Sequence, residues 1–572
     1  MKKKIKVCFF TFIWVSFIAA LSPVCVAQVA EKPNVLLILL DDVGYCDINA
    51  FAEQLREEPV EQYFYETPRI NQLAKEGTMF TQFYACTVCS PTRASLLTGK
   101  MNNRMGVWDA YVSKNTHKKA EKPVPEGCHF LDLIYPTPVD RGITLPLAGS
   151  ALHDVKTIPQ GLTGYHTAMI GKWHIGSHNT EGFRPSDKGF EEVLAYFDGG
   201  GSSYYRPFRA LAAATREWDK PGPMLTPQED YLSDDVAQRV NLFLEEQAGK
   251  PSGKPFFLYL AHPAAHGPVQ SREDDLAYFT EKAKKPGWIG HKSPEYAGLI
   301  KGMDRSVGSI MDKLDELKLA DNTAVILISD NGGHPTFTRN TPLRGGKSML
   351  YEGGIRVPMI MRWPGKTEPG TVCDIISDVA DIYPTIMEVA DVDYNDFKAN
   401  ETTDGESLVP LFSDLKNRDG GYGRKEFYHF YGKLGYGGFH NFATWATLRK
   451  GDYKLHYDYQ GKVELYNIAA DLYEKNNLAR QQPERAYEML VKLTSWLKDN
   501  CNPEYLPQPN PNYQSDKSKF GPYVPLEQLK EALLTGNGEV PSNPIQMEEG
   551  YKRLAERKAA NAKRGKEKQK KK

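Results

Sequence analysis

The sequence carries almost no net charge: 71 Lys and Arg stand against 72 Asp and Glu, a formal −1 over 572 residues. That balance excludes a chain steered as a whole to nucleic acid, which would need a basic excess. Cysteine is scarce too, with eight in all. Cys8 and Cys25 lie in an N-terminal leader, while Cys46, Cys86, Cys89, Cys128, Cys373 and Cys501 are scattered, so there is no small-domain disulfide framework. Cys86 and Cys89 form one C-x-x-C, open to reading as a redox pair or half a zinc site, but no second C-x-x-C or suitably spaced histidine pair accompanies it. Long apolar runs are lacking as well. The N-terminal run, Val7 to about Leu21, is short of the roughly 20 residues a membrane-spanning helix needs. It follows MKKKIK and precedes small residues, which is the order of a secretory signal peptide with a cleavage site at Cys25-Val26-Ala27. The expectation is an exported chain, periplasmic or secreted, with no stable membrane insertion. An uncleaved anchor, or a lipid on Cys25 poorly preceded by Pro23 and Val24, is the alternative. No internal repeat is evident.

The length and a 41 % hydrophobic content allow a large core and more than one domain. Asn34–Asp42 (NVLLILLDD) and Thr323–Gly333 (TAVILISDNGG) are unbroken apolar runs of the kind buried parallel strands use, each ending in acids or amides. Lys254–Pro268 follows the same plan and ends in His262 and His266; Tyr165–Gly176 ends in Lys172 and His174. Amphipathic patterns over Tyr231–Gln247 and Tyr296–Leu317 predict intervening helices. The fold class is therefore α/β, with a large N-terminal domain whose central mixed, mostly parallel sheet is flanked by helices. From about Lys425 short aromatic strands predict a smaller α+β domain with an antiparallel sheet, followed by a helix near Arg485–Leu497 and an extended Pro/Asn-rich loop. The expected boundaries are 1–27 for the leader, 31–418 for the large domain, 419–545 for the smaller one and 546–572 for a cationic tail, helical or disordered.

In an open α/β sheet ligands gather at the carboxyl ends of the strands. There Asp41, Asp42, Asp330 and Asn331 offer hard oxygen ligands suited to Ca²⁺ or Mg²⁺, although Asp-Asp and Asp-Asn-Gly-Gly are also ordinary turn sequences. Lys172, His174, His266 and Lys347 stand after apolar strands or in a Gly-rich loop, where they could converge on one anion; a solvated lysine and a capping histidine are the plain readings of Lys347 and His266. His262 reads as structural. Cys89 falls beside the start of a short helix, with Ser90 as N-cap, Pro91 in the first turn and Gly99 as the stop, and that helix end favours an anion.

These pieces form one pattern. CSPTRASLLTG, with Cys-x-Pro-x-Arg then Leu-Thr-Gly, closely resembles the motif of the type I sulfatase family of the alkaline-phosphatase superfamily. NVLLILLDDVGY, GYHTAMIGKWHIG, AAHGP, ISDNGG, TPLRGGKSMLYEGGIRVPMIMRWPG and VELYNIAADLYEKNNLA extend the resemblance, with gaps, from about residue 32 to about 480. It implies an exported sulfuric-ester hydrolase acting on a sulfated saccharide. It further implies that Cys89 is converted by a formylglycine-generating maturation enzyme to Cα-formylglycine, and that Asp41, Asp42, Asp330, Asn331 and the modified Cys89 hold one Ca²⁺. Arg93 would brace the aldehyde hydrate, and Lys172, His174, His266 and Lys347 would surround the sulfate. Thr92 replaces a common Ser, and His266 matches the family's pattern only in His and Pro.

The resemblance also explains why a serine would serve poorly. One hydroxyl of a hydrated aldehyde takes the sulfate, and the other can then expel it, whereas serine would be left as a stable ester. His266 is assigned as general acid for the leaving alkoxide and His174 as base for the hydrate, roles that could be exchanged. The alternatives are a phosphodiesterase or phosphonate hydrolase of the same superfamily, or a catalytically silent glycan-binding protein. Gly199–Phe208, Arg104–Tyr111 and His334 are the candidate sugar contacts.

Overall fold

The computed structural model describes residues 32–107, 133–134, 155–175, 184–197, 203–205, 230–250, 253–392, 403–413, 421–431, 445–458, 461–501, 506, 508–509 and 526–535. The leader, Cys128, most of the Gly199–Phe208 stretch, the second half of the Arg104–Tyr111 stretch and the cationic tail lie outside these residues. Among the described residues no helix is long and apolar enough to cross a membrane.

The large sheet has eight strands in the order Thr371–Cys373, Thr78–Phe80, Met359–Arg362, Thr323–Ser329, Asn34–Leu40, Phe256–Ala261, His166–Lys172, Glu192–Phe197. Every pairing is parallel except the two made by Met359–Arg362, so the sheet is mixed and mostly parallel, as expected. The central strand shows why its sequence has no polar alternation. Val35, Leu37 and Leu39 face one apolar cluster and Leu36, Ile38 and Leu40 the other, because successive side chains point to opposite faces and both faces are covered. Helices Leu232–Gly249 and Pro294–Glu316 pack on the second face; helices Cys89–Thr98 and Ile382–Val389 pack on the first.

A separate antiparallel sheet runs Glu426–Tyr431, Trp445–Lys450, Tyr453–Asp458, Lys462–Asn467. Its Leu448, Leu455, Val463 and Leu465 share a cluster with Leu490 and Leu493 of the Pro483–Asn500 helix. The Pro/Asn-rich segment is not wholly a loop: Gln508–Pro509 pairs with Leu133–Ile134, and a helix the sequence reading did not include follows at Leu526–Thr535.

At the end of the His166–Lys172 strand the register against Glu192–Phe197 shifts between Gly171 and Lys172, a bulge that re-aims the lysine. Gly171 has φ +117°, and a Cβ there would lie 2.0 Å from the carbonyl oxygen of Ala261. Only glycine fits. Gly171→Ala should therefore lower stability by about 2 kcal/mol or more, read as a fall in the urea midpoint; an unchanged midpoint would contradict the close approach.

Candidate active site

Four adjacent parallel strands deliver the polar residues to one edge. Asp41 and Asp42 follow Leu40, Asp330 and Asn331 follow Ser329, His262 to His266 follow Ala261, and Lys172 ends its strand, with His174 two residues on. Backbone bonds lock the ends together: Asp330 N–H donates to the Leu40 carbonyl at 2.9 Å, and Asp41 N–H to that of Ala264 at 3.0 Å. Helix Cys89–Thr98, buried throughout, packs on the first face of the sheet. Its N-cap is Val88 and Gly99 ends it in the left-handed region, as anticipated. Ser90 is not the cap; it lies in the first turn and donates through Oγ to the His174 carbonyl at 2.7 Å, joining helix and strand end.

The acids converge. Ligand atoms of Asp41, Asp42, Asp330 and Cys89 all lie within 4.8 Å of one another, a spread that oxygens about 2.3–2.6 Å from one Ca²⁺ can span. Asn331 donates its Nδ2 to Asp42 Oδ1 (2.9 Å) and to the Gly332 carbonyl (3.0 Å), which fixes the amide and leaves its buried Oδ1 without a hydrogen-bond partner among the described residues. Burial and the charge of Asp41 push Asp330 up to about 7, even with Arg93 beside it. Hard oxygens, an orphaned carbonyl oxygen and crowded negative charge fit a divalent cation.

Cations surround the acids. Fully buried Arg93 donates to Asp330 Oδ2 at 2.9 Å and to the Lys172 carbonyl at 2.8 Å. Lys172 Nζ meets Asp41 Oδ2 at 2.6 Å, and Lys347 Nζ meets Asp42 Oδ1 at 2.6 Å and Cys89 Sγ at 3.4 Å. Burial tends to raise both Asp41 and Asp42. Lys172, then His266 and Arg93, hold Asp41 well below the usual carboxylate range; Lys347 and His266 hold Asp42 at about 2. Thr92 hydroxyl donates to the Asp330 carbonyl at 2.6 Å.

Cys89 and Cys86 do not act as a pair: both are free thiols, and Cys86 Sγ lies by Ser95 Oγ at 4.0 Å while Cys89 faces Asp41 Oδ1 at 3.3 Å. Burial, then Asp330 and Asp41, push the Cys89 thiol well above its ordinary pKa. A nucleophilic cysteine needs the opposite environment.

His266 is 24 % exposed at its side chain and Nε2 stands 3.9 Å from Asp42 Oδ2. Its Nδ1 can only donate to the Gly267 carbonyl, 2.7 Å away, so Nε2 is the atom left to exchange a proton. Burial and Lys347 lower its pKa. His174 is buried with φ +59°. His262 is fully buried, accepts from Ala264 N–H through Nδ1 and is lowered to about 4 by burial, the structural role expected of it.

Sequence reasoning missed the supports. Asp47 accepts from Gly44 N–H, the Tyr296 hydroxyl and the Thr338 hydroxyl, binding the loop after Asp42 to that after Asn331. Its signal was one acid in a Gly-Tyr-Cys-Asp turn. Tyr204, a candidate sugar platform, is buried, with its hydroxyl 2.7 Å from the Pro263 carbonyl and 2.9 Å from that of His266. Arg104 is paired with Asp404 at 2.8 Å. His334 accepts from Thr336 N–H at 3.1 Å and lies against Phe337.

Residues 33–392 match the family model Sulfatase, and 346–501 the model N-sulphoglucosamine sulphohydrolase, C-terminal. The chain is 29 % identical over 530 residues to a "Sulfatase" of Formosa agariphila, covering 83 % of this chain and 90 % of the other. It is 28 % identical to N-acetylgalactosamine-6-sulfatase of Homo sapiens, over 66 % of each chain. Among solved structures, Ps i-CgsB in complex with k-i-k-neocarrahexaose superposes with a TM-score of 0.63 at 25 % identity, covering 89 % of this chain and 98 % of that one.

If the acids hold a metal, Asp330→Ala should abolish stoichiometric divalent-metal binding in elemental analysis. It should also lower kcat on the order of 10²- to 10³-fold in a protein that remains folded. Metal retained at one per chain would exclude Asp330 as a ligand.

Proposed function

The chain belongs to the sulfatase family and is a sulfuric-ester hydrolase; from that premise we propose that it is an exported enzyme that removes sulfate from a sulfated carbohydrate. The observation that carries the reading is the buried meeting of Asp41, Asp42, Asp330 and Cys89 with Arg93, Lys172 and Lys347 at one sheet edge.

In this reading Asp41, Asp42, Asp330 and Asn331, with residue 89, hold one Ca²⁺, which when bound would draw charge from the sulfate oxygens. Cys89 is converted by a maturation enzyme to formylglycine, whose hydrate would supply one hydroxyl to take the sulfate and a second to release it. Asp41, Asp42 and Asp330 each face one fixed cation, so the three pairs cancel once all three carboxylates are ionised, which a bound cation would favour at Asp330. A divalent ion makes the site net positive, which suits an ester bearing one negative charge. Lys172 and Lys347 then neutralise the transferring oxygens, and Arg93 braces residue 89. His266 presents Nε2 to protonate the leaving alkoxide, and His174 serves as base. Similarity to the named N-acetylgalactosamine-6-sulfatase and to a structure holding a neocarrahexaose supports a sugar substrate. Export rests on the leader composition.

The test compares kcat/KM for matched sulfate and phosphate esters, then for positional sulfates of galactose, N-acetylgalactosamine, N-acetylglucosamine, glucose and fucose against an aryl sulfate. Sulfate should be preferred, and one sulfated sugar should exceed the aryl ester because ring contacts are used in the transition state. Preference for phosphate would favour the phosphodiesterase alternative; aryl sulfate turned over efficiently with every sugar inert would remove the carbohydrate assignment.

A further inference from the structure

The segment that carries Lys347 is bonded at its middle to the site itself, where Lys347 N–H donates to the Gly333 carbonyl at 3.2 Å and Ser348 N–H to that of Thr87 at 2.7 Å, and at its two ends to the second sheet and its neighbours. Upstream, Arg344 donates through Nη1 to the Glu474 carbonyl at 2.6 Å and the Tyr466 hydroxyl at 3.0 Å. Downstream, the Tyr351 hydroxyl donates to Glu464 Oε2 and the Glu352 N–H to Glu474 Oε2, each at 2.8 Å. Met349, Leu350 and Ile355 join the apolar cluster of Leu455, Leu465 and Leu490. Lys347 therefore reaches Asp42 from a loop held at both ends by another layer of the molecule.

At the centre of that contact Lys454 Nζ lies between Glu352 Oε1 at 2.8 Å and Glu474 Oε1 at 3.1 Å, all three side chains fully buried. Glu474 Oε1 also meets His456 Nε2 at 3.0 Å, and Glu352 Oε2 accepts from the Tyr84 hydroxyl at 2.9 Å. Against burial, Lys454, then Arg356 and Arg449, hold Glu352 at about 2, so its carboxylate is charged. Buried ion pairs contribute little net stability, yet each charge must be met from fixed directions, and removing one partner strands the other. The loop connects onward to the metal-binding turn, because Gly332 N–H donates to the Gly354 carbonyl at 3.0 Å.

We propose that Lys454 and Glu474 are positioning residues, which by clamping Glu352 fix the 344–352 segment and so set Lys347 Nζ against the reacting sulfate. The inference rests on the reading of Lys347 as a sulfate-facing group. A double-mutant cycle on the full, matured enzyme separates the two, using an aryl sulfate for kcat/KM and inorganic sulfate for calorimetric Kd. Lys347→Ala alone tests that reading. Lys454→Met, and Glu474→Gln, which keeps an acceptor for the Glu352 N–H, should each lower kcat/KM roughly 10- to 100-fold and weaken sulfate binding. In the Lys347→Ala background the same substitutions should cost less than about twofold, because their route is already cut. A merely structural role would lower the melting temperature and give the same fold-loss in both backgrounds. Equal losses, or wild-type kinetics in the Lys454 and Glu474 variants, overturn the clamp. A Lys347→Ala enzyme with wild-type kinetics would overturn the reading beneath it and the clamp with it. Should Lys454→Met fail to fold, Glu474→Gln decides.

Discussion

Three carboxylates are buried where parallel strands end side by side, and the rest of the site answers that crowding. Parallel pairing of the Asn34–Leu40 and Thr323–Ser329 strands, Leu40 opposite Ser329, brings Asp41 and Asp42 to the level of Asp330. Their negative charge cannot be left unbalanced out of water. Arg93 meets it from the buried helix, Lys172 from the next strand but one, and Lys347 from a distant loop. Each cation comes from a different element. The site is therefore complete only when strand, helix and loop have all packed.

The second sheet takes part in this balance. Leu455 and Tyr457 share its apolar cluster, while Lys454, His456 and Asp458 alternate onto the other face. Such a polar stripe ordinarily faces solvent. Here it is buried, and its Lys454 and His456 meet Glu352 and Glu474, so one face joins the apolar cluster and the other holds a loop that reaches the site. Val88, which caps the helix bearing Cys89, packs in the same cluster. The second sheet thus takes part in placing the residues of the site.

What the sequence made legible follows from how strong each local signal is. Two strands with both faces covered stand out as unbroken apolar runs, two more follow their plan, and the polar ends of all four mark one edge. Thr78–Phe80 and Met359–Arg362 are too short for any period to show. Ser90 has an N-cap's chemistry but stands one turn position inside the helix, because the bond that decides its place runs to His174, far away in sequence. Tyr204 and Arg104 have the composition of sugar contacts, and only the fold turns one into a support for the His266 loop and the other into the partner of Asp404. The buried polar face of the second sheet was illegible for the same reason: alternation reports which residues share a face, not what covers it.

The proposed chemistry turns on Cys89. Its thiol is buried, held protonated by its surroundings and set against the carboxylates of Asp41 and Asp42, which makes it a poor nucleophile as it stands. The direct measurement is mass spectrometry of the proteolytic peptide spanning Cys89, taken from purified enzyme of known specific activity and repeated on Cys89→Ala. Activity should scale with the fraction of peptide bearing an aldehyde in place of the thiol, reactive toward hydrazide, and should vanish in the alanine variant. Full activity in protein whose residue 89 is entirely unmodified thiol would contradict it.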